Sequence, residues 1–183
     1  MTRAMRADSE RTVQVILEAA ERVLRADPGA SMAQIAEAAG VARTTVHRRF
    51  ASRESLVEAM AVWAAEQFRD AVATARPDTA PPLVALHQVT ANVLRVKVDW
   101  GFAMSRTAGG EVERIHEEVR QSCIDLFGRA ADSGVLRADV DREWARRVYY
   151  ALIHEAAEAG WDGGDVDELA ARVVDTLLKG VGV

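Results

Sequence analysis

The chain has 183 residues, 49% of them hydrophobic and 28% charged, and its formal net charge is −5. This length gives one domain or two small ones, and the hydrophobic fraction is ample for a core. The single cysteine, Cys123, excludes an intramolecular disulfide, and no stretch has the apolar length of a signal peptide or a membrane span, so we expect a cytoplasmic protein.

The first predicted helix follows a polar N-terminal segment. Residues 1–9 are expected to form a disordered basic arm. From about Ser9 to Arg25, apolar residues recur at helical spacing, which predicts an amphipathic helix. Its apolar stripe consists of Val13, Ile16, Leu17, Ala20 and Leu24. Asp27-Pro28-Gly29 then ends the helix.

The next predicted feature is a pair of short helices joined by a glycine turn. Ser31 is a good N-cap, and Gln34, three residues later, can close a capping box. Gly40 stands where a left-handed residue ends a helix at little steric cost. Val46 and Phe50 continue the apolar pattern and should face inward, which leaves the polar residues of the second helix outside.

The second of these short helices is basic. Residues 42–53 contain four arginines and no acid. The arginines are Arg43, Arg48, Arg49 and Arg53. Cations and hydroxyls supply phosphate contacts, and Arg also binds guanine through two hydrogen bonds. A solvated basic face on an ordinary helix pair is the alternative, but the spacing of Ala36, Gly40 and Val46 favours a DNA-binding helix-turn-helix.

The rest of the chain has the opposite charge. Residues 1–60 carry a net charge of +1 and residues 61–183 a net charge of −6. An acidic body is repelled by DNA, so the basic segment should set the docking orientation. This distribution argues against a protein that coats DNA without preference.

Residues 10–60 resemble the DNA-binding domain of the tetracycline-repressor (TetR) family. The resemblance rests on an amphipathic helix followed by the segments IAEAAGV, RTTVHRRF and ASRESL. It implies that Thr45 and Arg53 stand at phosphate-contacting positions and that Phe50 is buried. The chain departs from the family pattern at Ala42, Thr44, His47 and Arg49.

Eight side chains are expected to contact DNA. We assign base contacts to Arg43, Thr44 and Thr45, phosphate contacts to Ser31, His47, Arg48 and Arg53, and either role to Arg49. The resemblance further implies a transcriptional repressor that binds a palindromic operator as a homodimer and is released by a small-molecule effector.

Five further helices and no strand are predicted after the motif. Ser52, with Ser55 three residues later, caps a helix that runs to about Thr74. The proline-rich stretch 76–82 is the best candidate for a boundary in the sequence. Four more helices are predicted over about residues 83–104, 111–132, 141–159 and 165–179.

The predicted fold is therefore all-α. An N-terminal three-helix domain with the helix-turn-helix, residues 10–60, is joined to a C-terminal helical bundle, residues 61–183. By the family resemblance, this bundle would bind the ligand and form the dimer.

The last two predicted helices have broad apolar faces. In the TetR family the two last long helices pair with those of a second copy, and the resemblance implies the same here. Candidate dimer residues are Val148, Leu152, Ala156, Leu169, Val173 and Leu177. The alternative is that both faces pack only within one chain.

The resemblance also implies a ligand pocket lined by residues 83–132. Candidate pocket residues are His87, Asn92, Trp100, Phe102, Met104, His116 and Phe127. Polar groups among apolar walls are typical of small-molecule sites. Each of these side chains has an alternative role as a core or solvated residue.

An enzyme is not expected, and no metal or other cofactor is predicted. The stretch from His154 to Glu158 begins like a zinc-protease H-E-x-x-H motif but ends in Glu instead of His. Glu113 and His116 form a single Glu-x-x-His, whereas a di-iron bundle needs two. The alternatives that stay open are a helical regulator that responds to a protein partner and, more distantly, a helical-bundle metalloenzyme.

Overall fold

The computed structural model describes residues 3–106, 109–158 and 165–181. Within these ranges the chain forms eight α-helices and no strand, which confirms the predicted all-α class. The helices are α1 (Arg3–Ala26), α2 (Met32–Ala38), α3 (Arg43–Arg49), α4 (Arg53–Thr74), α5 (Pro82–Met104), α6 (Gly110–Asp132), α7 (Arg142–Glu158) and α8 (Val166–Val181). Helices α4 to α8 begin and end within two residues of their predicted bounds.

Helix α1 begins earlier than predicted. Its backbone is helical from Arg3, so the predicted disorder of residues 1–9 is wrong for residues 3–9, while Met1 and Thr2 lie outside the described residues. The segment is polar, but it is rich in Ala, Arg and Met, which are strong helix formers. Polarity alone was therefore a poor guide to disorder here.

The chain divides into two compact units. Unit 1 comprises Met1–Ala64 together with Trp100–Gly109, and unit 2 comprises Ala65–Asp99 together with Gly110–Val183. The predicted boundary after residue 60 lies near the end of the first segment. The sequence did not reveal, however, that the last turn of α5 belongs with the N-terminal helices.

Unit 1 is organised by packing of α1 on α2 and of α2 on α3. The apolar stripe predicted for α1 is largely confirmed, since Leu17 and Leu24 are buried in this core. Ile35 of α2, Val46 of α3 and Leu56 of α4 are each 0% exposed. Burial of one such side chain contributes roughly 1.5–3 kcal/mol, so these residues fix the short helices α2 and α3.

Unit 2 has its own core, to which α4 to α8 contribute. The Phe127 ring lies edge-on to Tyr149, with the ring centroids 5.6 Å apart. The Tyr149 hydroxyl donates to Thr90 Oγ1 at 2.7 Å, and Thr90 Oγ1 donates to the Leu86 carbonyl at 2.6 Å. These two hydrogen bonds give both buried hydroxyl groups a partner. Without a partner, a buried hydroxyl destabilises the fold.

The proline-rich stretch 76–82 is a turn inside unit 2 and not a domain boundary. It joins α4 to α5, and the Arg129 guanidinium of α6 donates to the carbonyls of Pro77 at 2.5 Å and Ala80 at 2.8 Å. At the end of α6, Gly134 has φ 75°, the left-handed conformation in which glycine commonly ends a helix. No helix in the described ranges is long and apolar enough to cross a lipid bilayer.

Candidate nucleic-acid interface

The capping box predicted for α2 is present. Ser31 Oγ accepts from the Gln34 backbone N–H at 3.4 Å, and Gln34 Oε1 accepts from the Ser31 backbone N–H at 2.8 Å. The Ser31 hydroxyl also donates to Gln34 Oε1 at 2.8 Å. The side chain stays exposed at the start of α2, where the helix dipole favours an anion.

The turn between α2 and α3 is set by Gly40. Its φ is 65°, which an L side chain rarely adopts, although a Cβ there would meet no atom within 4 Å. The Gly40 N–H donates to the Glu37 carbonyl at 3.0 Å and the Val41 N–H to the Ala36 carbonyl at 3.1 Å. These two bonds close α2 in a Schellman motif, so the backbone of the turn fixes where α3 begins.

Helix α3 is anchored through its apolar side. Val46 is 0% exposed and Phe50, directly after the helix, is 7% exposed. Ala42 precedes the helix in an extended conformation and provides no side-chain cap, as its methyl group dictates. The other side of α3 therefore points to solvent.

That outer side gathers most of the predicted DNA-contacting residues. Arg43, Thr44, His47, Arg48 and Arg49 are exposed, and Thr45 is half-buried. Arg43, Arg48 and Arg49 make no ion pair or hydrogen bond with any described residue, and α3 contains no acid. Their donors are therefore available to phosphate oxygens and base edges.

Arg53 has a second role that the sequence did not reveal. Its Nη2 donates to the Pro28 carbonyl at 2.5 Å and its Nε to the Ala30 carbonyl at 3.3 Å. The guanidinium thus ties the first residue of α4 to the turn between α1 and α2. The phosphate contact assigned to Arg53 stays a prediction, and two of its donors are already used inside unit 1.

The start of α4 carries the predicted serine cap. The Ser55 N–H donates to Ser52 Oγ and the Ser52 N–H to Ser55 Oγ, both at 3.1 Å. Its own backbone N–H and the Ser52 hydroxyl hold the pKa of the exposed Glu54 carboxyl below its ordinary value. Glu54 is thus an anion beside Arg53, and it should keep phosphate away from that edge.

The seven candidate ligand residues are divided between the two units. Trp100, Phe102 and Met104 belong to unit 1, whereas the other four belong to unit 2. Phe127 is 1% exposed in the core, and His116 lies edge-on to the Phe68 ring with centroids 6.0 Å apart. That these residues line a ligand pocket stays a prediction, because helical spacing does not tell a core side chain from a pocket wall.

His87 and Asn92 do share a site. They border an open surface depression of about 210 Å³ between α5 and α8. Asn92 Nδ2 donates to the Ala71 carbonyl at 3.0 Å, and Arg95 donates to Asn92 Oδ1 at 3.2 Å and to Asp167 Oδ1 at 2.8 Å. These hydrogen bonds fix one wall of the depression, and they occupy both the amide nitrogen and the amide oxygen of Asn92.

The candidate dimer residues fall into two groups. Val148, Leu152, Ala156 and Leu169 are half-buried within one chain. Val173 is 4% exposed and Leu177 is 0% exposed, so these two pack in the core and are not available as a surface. Trp144 of α7, which is not among the candidate dimer residues, is 59% exposed.

The histidines of the two enzyme-like motifs, His154 and His116, lie in different parts of unit 2 and not in a metal site of the described residues. His154 Nδ1 lies 3.4 Å from Lys97 Nζ, and desolvation lowers the pKa of Lys97. Desolvation also lowers the pKa of His116. Across residues 3–106, 109–158 and 165–181, no three His, Cys, Asp or Glu side chains are grouped so that they could hold a metal ion.

Three comparisons place this geometry in a family. The family model for bacterial regulatory proteins of the tetR family matches residues 16–60. The HTH-type transcriptional repressor LfrR of Mycolicibacterium smegmatis is 31% identical over 179 residues, which cover 94% of this chain and 91% of LfrR. The crystal structure of LfrR from Mycobacterium smegmatis in complex with proflavine superposes with a TM-score of 0.77 at 29% identity, over 96% of this chain and 99% of that one.

A more distant structure shows the same fold. The TetR family regulator PfmR of Thermus thermophilus has a TM-score of 0.77 at 19% identity, over 92% of this chain and 98% of PfmR. The family match lies on the helix-turn-helix, and the likeness to LfrR extends over nearly the whole chain. The chain belongs to the TetR family of bacterial regulatory proteins and is a helix-turn-helix transcriptional regulator, not an enzyme.

Proposed function

We propose that this regulator represses transcription by binding a palindromic operator in double-stranded DNA as a homodimer, and that a small molecule releases it. The observation that carries the DNA contact is the outer face of α3, where three arginines have no partner among the described residues. Arg43 and Thr44 stand in its first turn, where recognition helices contact base edges. Arg48 and Arg49 stand in its last turn and would contact phosphate.

Selection of bound sequences from random duplex DNA tests this proposal. The full-length protein should enrich an inverted repeat whose half-sites are about one helical turn apart or a multiple of it. Enrichment of no sequence, or of a site without two-fold symmetry, would contradict a dimer that reads DNA through two copies of α3.

The homodimer is proposed on α7 and α8. Four of the candidate residues on these helices are only half-buried, and Trp144 on α7 is largely exposed. Large apolar groups at a surface are stabilised by a partner that removes them from water. Sedimentation should give the mass of two chains at micromolar concentration, and Trp144→Glu should weaken association. A monomer that still binds the inverted repeat would overturn this part of the proposal.

A small-molecule effector is proposed to bind in unit 2. LfrR, which is 29% identical in the solved complex, binds proflavine, and we take proflavine as the first probe. The depression beside His87 and Asn92 has a volume of about 210 Å³, below the roughly 300–1,000 Å³ of ordinary ligand pockets. Effector binding at this depression would thus require it to widen, which fits a ligand that shifts a two-state equilibrium.

The release step has a direct test. Fluorescence anisotropy of the labelled operator should fall when proflavine is added to the complex. If the anisotropy stays constant, a compound library is screened for release of the operator in place of proflavine. If no compound in the library releases the operator, while a protein from the same cells does, the regulator responds to a protein partner instead.

A further inference from the structure

Glu21 is a buried acid in unit 1, and the proposed DNA contacts do not explain its burial. It lies on α1 and is 2% exposed. A carboxylate that is removed from water destabilises a protein unless charges or hydrogen bonds compensate it. Its burial therefore requires partners whose hydrogen bonds or charges offset this loss of hydration.

The partners of Glu21 lie on α1 and on the last turn of α5. Oε1 accepts from the Phe102 backbone N–H at 2.8 Å and Oε2 from the Ala103 backbone N–H at 2.9 Å. Arg25, one turn further along α1, donates to Oε1 at 2.8 Å. Both carboxylate oxygens are thus used, and two of the donors belong to the backbone.

These two backbone groups are available because α5 is broken. Trp100 has φ −124° and ψ 27°, which is not a helical conformation. In an unbroken α-helix the N–H groups of Phe102 and Ala103 would donate to the carbonyls of Val98 and Asp99, four residues earlier. After the break they donate to Glu21, which acts as an N-cap supplied by another helix.

The break coincides with the point where α5 passes from one unit to the other. Residues 82–99 of α5 belong to unit 2, and Trp100 is the first residue of the segment that belongs to unit 1. The Trp100 ring lies 6.5 Å from that of Trp63, also in unit 1. The last turn of α5 is thus fastened to the DNA-binding unit by a ring contact and by the Glu21 carboxylate.

We propose that Glu21 is a positioning residue that holds α5 open at Trp100 and couples its last turn to α1. The same two N–H groups serve either the unbroken helix or Glu21, so the two arrangements exclude each other. Helix α1 packs on α2, which begins the helix-turn-helix. A change of α5 in unit 2 therefore reaches α1 through these hydrogen bonds, and this last step rests on the proposed effector.

Amide exchange tests the contact without DNA or effector. In full-length Glu21→Gln, one carboxylate oxygen becomes an NH₂ group, which cannot accept a backbone hydrogen. Residue-resolved NMR should show the Phe102 or Ala103 amide exchanging at least about tenfold faster, equivalent to about 1.4 kcal/mol, with the Val46 amide unchanged. Glu10→Gln, an exposed acid on the same helix, is the matched control and should match the wild type.

Two results would overturn the role of Glu21. Unchanged or slower exchange at both amides would mean that another acceptor serves them. Equal acceleration throughout unit 1 would mean that Glu21 only stabilises the fold.

The coupling has a separate readout. The ratio of operator affinities with and without proflavine should move at least about threefold toward one in Glu21→Gln and stay at the wild-type value in Glu10→Gln. An unchanged ratio in Glu21→Gln would overturn the coupling. If proflavine has no effect on the wild type, proflavine is not the effector. The ratio is then measured with the compound that releases the operator. The amide-exchange result does not depend on the effector and keeps its meaning in either case.

Discussion

The arginines of α3 and those of α6 are the same residue type in opposite situations. On α3, Arg43, Arg48 and Arg49 are exposed and have no partner among the described residues. On α6, Arg114 pairs with Glu111 and Glu118, and Arg120 pairs with Glu117 at 2.5 Å and with Glu143 of α7 at 2.6 Å.

The difference lies in the neighbours and not in the arginines. Arg114 and Arg120 of α6 have acids one turn away on α6 or on the neighbouring α7, so these two guanidinium groups are paired inside unit 2. The pKa of Glu111 is lowered because Arg114 donates hydrogen bonds to its carboxylate, and the pKa of Glu117 is lowered in the same way by Arg120. Helix α3 has no acid, so its charge is left for an external anion.

The largest effect should come from removing the α3 arginines together. The triple variant Arg43→Ala, Arg48→Ala, Arg49→Ala should lose operator affinity by about a hundredfold or more at roughly 0.15 M salt, with a shallower salt dependence. Anisotropy titrations at several salt concentrations measure both quantities.

A matched triple variant separates location from net charge. Arg114→Ala, Arg120→Ala, Arg137→Ala removes the same charge from arginines of unit 2 that are paired with acids. It should bind the operator nearly as the wild type does. Equal losses in the two triple variants would mean that overall charge, and not α3, governs the affinity.

A single change should distinguish base contact from phosphate contact within α3. Arg43→Ala should cost about 1–3 kcal/mol on the selected operator if the guanidinium binds a guanine with two hydrogen bonds. The loss should disappear on an operator changed at that base pair. Arg48→Ala should instead weaken binding to every sequence to the same degree. Affinities on a set of single-base operator variants give the answer.

Arg53→Lys tests the contact that ties α4 to the turn before α2. Lysine keeps the charge but cannot donate to the Pro28 and Ala30 carbonyls as a planar fork. The free energy of unfolding should fall by about 1–2 kcal/mol, while the salt dependence of operator binding stays the same. A wild-type unfolding midpoint would argue that Arg53 is a phosphate ligand only.

A smaller effect is expected from the buried hydroxyls of unit 2. Tyr149→Phe removes the hydroxyl that donates to Thr90 and should destabilise the protein by about 1 kcal/mol in urea unfolding. Tyr150→Phe is the control, since its hydroxyl donates to the Cys123 sulfur at 3.5 Å, a weak acceptor. A larger loss in the control would contradict this account of the core. Operator affinity should not change in either variant.

The smallest effect is a pH dependence from His116. Burial against Phe68 lowers the pKa of its imidazole below the ordinary 6.5. The unfolded chain then binds the proton more readily than the folded one, so the free energy of unfolding falls as the pH drops below about 6.5. His116→Asn should reduce this fall between about pH 7.5 and about pH 5.5. An unchanged pH profile would show that His116 does not contribute.

The elements that the sequence predicted well are those set by local chemistry. The Ser31–Gln34 capping box and the turn at Gly40 depend on residues within a few positions of each other. The inward side of α3, with Val46, follows from helical spacing alone. For the same reason the polar residues of α3 could be placed on its outer side, where most of them are exposed.

The features that were missed depend on partners far apart in the sequence. Glu21 reads as a surface acid on an amphipathic helix until Phe102 and Ala103 are placed beside it. The Arg53 contact with Pro28 is of the same kind. Periodicity also assigned Leu177 to an apolar face without telling whether a second chain or the same chain covers it.

The central claim is that α3 reads the operator sequence, and one measurement tests it most directly. Sequences bound by the wild type and by Arg43→Ala are selected in parallel from the same random duplex DNA. The account predicts that both enrich the same inverted repeat, with preference lost in the variant at one symmetric pair of positions. Identical preferences at every position would contradict it, because sequence would then be read by another surface of the protein.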